Sequence, residues 1–185
     1  MTERDHPRMA VVGALPAGFV VGVVNEWGSV PRQVAGEQDE AYPEPAALAA
    51  RHGLDLGAAV TRMSGRAVAG LADALYPVFA APDGQAASAV NELLAGLGPQ
   101  PRLGPAGERW AVPAGQRLLG GCLLTLYQEL ARRGDGSRLG LCGGSRCADV
   151  YLDLSPAGHR RFCSLACQNR TRVAAFRARR AGRPG

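Results

Sequence analysis

The chain has 185 residues, 46% of them hydrophobic and 5% aromatic, with 21 basic and 16 acidic residues and a formal charge of +5. That length suits one medium domain, or one domain with a small appendage, and the apolar fraction is enough for a buried, alanine-rich and therefore helix-rich core. Charge is divided unevenly: Ala131 to Gly185 holds twelve arginines and three acids, whereas Met1 to Leu130 holds nine arginines and thirteen acids. One end is thus built to meet a polyanion.

In chain order, the first apolar stretch is MAVVGALPAGFVVGVV, Met9 to Val24. Pro16 and its glycines interrupt it too often for a membrane span, and NEWGSVPRQ after it lacks a small-x-small cleavage site. It is read as buried structure in a cytoplasmic protein without membrane association. Asn25 and Trp27 directly after it are candidate lining residues for an effector pocket, although a capped strand end and a packed indole account for them more simply.

Pro45 opens a short helix, PAALAARHGL, with Gly53 placed to stop it. LGAAVTRMSGRAVAGLADALYPVFAA carries the longest helical pattern, with an apolar stripe through Val60, Met63, Ala67, Leu71, Leu75, Val78 and Phe79, broken at Pro82, Asp83 and Gly84. QAASAVNELLAGL is another helix, ended by Gly98 and Pro99. PRLGPAGERWAV has turn residues between two extended pieces and predicts a small hairpin. PAGQRLLGGCLLTLYQELARR is a further long helix, closed at Gly134. Residues 1–134 therefore predict one mostly helical domain. GDGS predicts a hinge into a distinct module over 135–185.

That module holds four of the five cysteines. Cys142 and Cys147 form C-x4-C, fifteen residues intervene, and Cys163 and Cys167 form C-x3-C. DVYLDL and HRRF, joined by SPAG, predict a hairpin, and SLACQNRTRVAAFRARR predicts a helix with Ser164 as its cap. A thiol-bearing knuckle, a hairpin and a helix whose first turn bears two thiols is the plan of a treble-clef zinc finger. Paired donors on chain reversals supply the four thiolates of one structural zinc ion, and a helix N-terminus favours the thiolate form. Iron accepts the same four sulfurs. Disulfides need an oxidising compartment, and neither pair has the C-x-x-C spacing of a redox site. His159 is read as an exposed hairpin residue and Cys122 as a small core residue.

The stretch YLDLSPAGHRRFCSLACQNRTRVAAFRARR resembles the zinc finger of the CGNR family, named for its Cys-Gly-Asn-Arg signature. The signature here reads Cys167, Gln168, Asn169, Arg170, with Gln in the Gly position. Tyr151, Leu152, Asp153 and Ser155 match the strand before it. More distantly, FVVGVVNEW and LADALYPVFAA are similar to parts of the ABATE domain that usually precedes this finger. The resemblance implies a bacterial stress-related transcription regulator, and hence DNA binding.

The last helix supports the same direction independently. At 100° per residue, Leu165, Asn169, Val173 and Phe176 share an arc expected to pack on the finger. Arg170 and Arg177 flank it on one side, Arg172 and Arg179 on the other, with small residues between the two rows on the far side. Such a face suits a major groove, with Arg160, Arg161 and Arg180 adding charge and Gln168 able to read adenine. The expected function is a zinc-dependent DNA-binding regulator that is not an enzyme. Its N-terminal domain is expected to sense a small molecule or to form a homodimer. The alternative is a treble clef that binds protein or RNA.

Overall fold

A computed structural model describes residues 8–82, 84–105, 107–133 and 138–181 of the chain. The expected boundary at 134/135, the GDGS hinge and the helix breaker Asp83 lie outside them. The described part is mostly helical with small β-sheets. Its elements are β1 (Met9–Val12), α1 (Ala17–Trp27), α2 (Ser29–Ala35), α3 (Pro45–Arg51), α4 (Gly57–Thr61), α5 (Gly65–Ala80), α6 (Ala86–Leu97), β2 (Gln100–Gly104), β3 (Gly107–Pro113), α7 (Arg117–Arg133), β4 (Leu139–Leu141), β5 (Val150–Leu152) and α8 (Leu165–Ala181).

Helix α1 is the centre of the core. This run is helical and not the strand end expected at Asn25: Phe19, Val20, Val23, Val24 and Trp27 recur at helical spacing and all five are buried. The long pattern expected over residues 56–81 divides at Ser64, whose hydroxyl accepts the Ala67 N–H at 3.2 Å and starts α5. The core face of α5 runs through Val68, Ala72, Leu75 and Phe79, while Ala67 lies outside it. The expected hairpin forms as β2 and β3. Strand β1 joins it on the far side to give the order β1-β3-β2, with Val12 opposite Trp110. Helix α7 packs on this sheet, and Cys122 is wholly buried among Leu123, Leu124 and Leu126. Arg32, only 5% exposed, donates to the Glu26, Glu37 and Glu40 carbonyls and so fixes the acidic loop after α2.

The hairpin of the C-terminal module differs from the expected one. Strand β5 pairs with β4 rather than with HRRF, and residues 142–149 form the loop between them. HRRF is irregular. Gly158 takes φ +66° in the SPAG turn, where the Arg138 guanidinium lies against its Cα and leaves no space for a Cβ.

Val150 and Leu152 are buried in the same apolar cluster as α1, α5 and α7. The bond from Cys142 N–H to Asp149 C=O at 2.8 Å sets the alternation of the ladder, so the Val150 peptide groups point away from β4. Asn25 meets them: its Oδ1 accepts the Val150 N–H at 2.7 Å and its Nδ2 donates to the Val150 C=O at 3.1 Å. One carboxamide thus serves as a single-residue neighbouring strand. Beside it, the Tyr76 hydroxyl donates to the Ala148 carbonyl at 3.3 Å.

Candidate metal centre and the arginine helix

The loop between β4 and β5 supplies Cys142 and Cys147, and the start of α8 supplies Cys163 and Cys167. Gly143 permits the close reversal: its N–H donates to the Arg161 carbonyl at 2.8 Å, and a Cβ would stand 3.2 Å from that oxygen. Ser164 caps α8 as expected, its Oγ accepting the Cys167 N–H at 3.3 Å.

The four Sγ atoms lie within 4.8 Å of one another. Cys147 and Cys163 sulfurs are 3.7 Å apart, and Cys163 and Cys167 sulfurs 3.5 Å. A tetrahedron of thiolates at about 2.3 Å from zinc has edges of about 3.8 Å, whereas a disulfide needs about 2.05 Å. All five cysteines are free. The donor set therefore fits one zinc ion, and four protein ligands complete its shell.

Surrounding groups are arranged for negative sulfur. The Cys163 N–H donates to Cys142 Sγ at 3.3 Å, and Arg170 Nη2 to Cys167 Sγ at 2.8 Å. Burial works against the Cys167 thiolate, yet hydrogen bonds from Cys163, Arg170 and Ser164 outweigh it and hold its pKa at about 7. Burial pushes Cys147 up to about 12 and Cys163 higher still. These thiols would ionise on binding zinc, whose charge would offset the cost of burial.

A second cluster shapes the turn that leads to α8. Asp153, 3% exposed, accepts the N–H groups of Ser155 and Arg160 at 2.9 and 2.8 Å and lies 3.9 Å from the Arg138 guanidinium. Burial alone raises its pKa; the Ser155 side chain, these backbone hydrogen bonds and Arg138 hold it at about 2. Arg160 extends the cluster, donating to the carbonyls of Phe162, Leu152 and Cys163 and lying over the Tyr151 ring.

Residues 138–180 match a family model described as CGNR zinc finger. The C-terminal module is a CGNR zinc finger. Within its signature, Cys167 is one of the four candidate ligands, and Arg170 is the donor that supports its charge. Gln168 stands half-buried and Asn169 exposed. No curated protein matches the chain. Among the described residues no helix is long and apolar enough to cross a membrane.

The residues singled out for DNA separate into two groups. Arg160 is committed to the finger's own backbone, and Arg170 to sulfur. Arg161, Arg172, Arg177, Arg179 and Arg180 are exposed, with Arg180 over the Phe176 ring. The arc expected to pack on the finger does not: Leu165, Val173 and Phe176 are 76%, 48% and 53% exposed. Helix α8 is held instead at its first turn, where Cys167 is buried; the Thr171 hydroxyl donates back to the Cys167 carbonyl within the helix at 3.0 Å. Its 17 residues span about 25 Å.

The expected pocket residues serve the core. Asn25 holds Val150, and Trp27 is wholly buried with its indole N–H unpartnered among the described residues. Sequence reasoning gave Asp153 no structural role and did not single out Arg138 or Tyr76. An Asp two residues before Ser in a Pro-Gly turn was the available signal for the first of these.

Proposed function

We propose that the chain is a zinc-dependent DNA-binding transcription regulator and not an enzyme, with α8 as the surface that meets a DNA duplex. The observation that carries this reading is α8 itself: Arg172, Arg177, Arg179 and Arg180 stand exposed on a helix without an acidic residue. The metal centre fixes the first turn, so the rest of the helix is presented as a rod. Zinc held by four thiolates has no open position and is structural. A single finger offers a small interface, so tight binding calls for a homodimer. The ABATE-like N-terminal part, in a cytoplasmic protein, is the place for dimer contacts or for sensing a small molecule.

The test is a salt series of duplex binding by the zinc-loaded protein. With about four phosphate contacts, log affinity falls against log salt with a slope of about −4. Replacing Arg172 and Arg179 with alanine flattens the slope to about −2 and leaves zinc bound. Unchanged affinity in that double variant refutes α8 as the contact. A second reading rests on exposed Leu165, Val173 and Phe176, which favour a protein partner with an apolar and acidic surface. Binding lost on Val173→Ser and Phe176→Ser, with duplex binding intact, identifies that case.

A further inference from the structure

A cleft of about 420 Å³ lies between β1, the start of α4 and the first turns of α7. Its size is that of a small-ligand site. Leu15, Leu56, Val60 and Leu118 form apolar walls, and Val60 and Leu118 are buried there.

Two features make the cleft more than a gap. The first is the edge of β1, which ends the sheet and pairs with no further strand among the described residues. The Ala114 N–H donates to the Arg8 carbonyl at 2.7 Å, so the ladder alternation turns the peptide groups of Ala10 and Val12 toward β3. Those of Met9 and Val11 then face outward along the cleft. This edge carries none of the charges or prolines that usually guard one, whereas the opposite edge strand, β2, has Pro101 and Arg102.

The second is Arg117. It lines the cleft, is half-buried, and among the described residues donates only through Nε, to the Ala114 carbonyl at 3.3 Å. No carboxylate lies within ion-pair distance of it among the described residues. The cleft's acid, Asp55, is exposed and accepts its own Gly57 N–H at 2.8 Å. A guanidinium left with an open fork beside apolar walls matches a carboxylate on an apolar body.

We propose that this cleft binds a small monocarboxylate with an aliphatic or aromatic body, its carboxylate held by Arg117 and by an outward N–H of the β1 edge. The site is independent of the DNA reading, and its test does not use DNA.

The probes are hexanoate and phenylacetate, with hexanamide and phenylacetamide as neutral counterparts, titrated into the zinc-loaded full chain by calorimetry and amide NMR. At least one acid is expected to bind saturably at millimolar concentration or below, with shifts centred on Met9–Gly13 and residues 117–121. Its amide is expected to bind about tenfold more weakly, and Arg117→Gln to weaken the acid by a similar factor. Arg117→Lys, which keeps the charge without the fork, is expected to restore part of the affinity and guards against a misfolded Gln variant. Zinc content and thermal midpoint verify each fold. No saturable binding by either acid, equal binding of acid and amide, or unchanged affinity in a folded Arg117→Gln variant overturns the proposal.

Discussion

Replacing Asn25 with leucine tests the seam between α1 and the finger. Leucine keeps the number and branching of the side-chain heavy atoms, so the change removes two hydrogen bonds without opening a cavity. It strands the Val150 N–H and C=O, both on a residue that is 0% exposed. Each buried orphan costs roughly 1–3 kcal/mol, which gives about 3 kcal/mol for the pair after partial relaxation. Against a domain stability of about 5–15 kcal/mol this is large. With an m-value of about 2 kcal/mol per molar urea, the unfolding midpoint falls by about 1.5 M. The assay is urea titration of the zinc-loaded protein, read by fluorescence of Trp27 and Trp110, both buried. Zinc transfer to a chromogenic chelator is measured in parallel, and is expected to accelerate because Val150 lies three residues beyond Cys147. Asn25→Asp keeps an acceptor for the Val150 N–H but sets a carboxylate against the Val150 carbonyl, and is expected to lose at least as much. A leucine variant within about 0.5 kcal/mol of the parent refutes the assignment of these bonds as a structural clamp.

The buried carboxylate of Asp153 predicts a pH dependence. Its folded pKa of about 2 lies below the ordinary 3.8, so its stabilisation of about 2 kcal/mol is complete above pH 4 and disappears as pH falls through about 2. Asp153→Asn is accordingly less stable by about 2 kcal/mol at neutral pH, with the gap closing in acid, as denaturant titrations at several pH values will show. Cys163→Ser and Cys167→Ser each remove a ligand; native mass spectrometry is expected to find bound zinc fall from one per chain to well below one. Trp27→Phe deletes an unpartnered buried donor along with some apolar area, so the two effects oppose and the stability change stays within about 1 kcal/mol in thermal unfolding.

The metal centre was legible because cysteine spacing is local and chemically narrow: Cys142, Cys147, Cys163 and Cys167 had few other uses in a short module. The helices over 45–51, 86–97 and 117–133 were equally legible from period and punctuation. What escaped depended on distant partners. The short β4 strand, Leu139–Leu141, has no alternation to announce it, and its pairing is set by the Cys142–Asp149 bond across the knuckle. Asn25 reads as a polar residue after a valine run until Val150 is placed against it. The seating of α8 was misjudged for a related reason. An apolar arc predicts packing only when something lies opposite it, and Val173 and Phe176 stay about half exposed among the described residues.

The carboxamide bridge from α1 to β5 also has a bearing on biosynthesis. Asn25 finds its partner only 125 residues later, so a ribosome must deliver most of the polypeptide before the first helix can be fully covered. Acquisition of the metal and completion of the N-terminal interior are then one maturation event. Zinc starvation is expected to leave both ends exposed to proteases together.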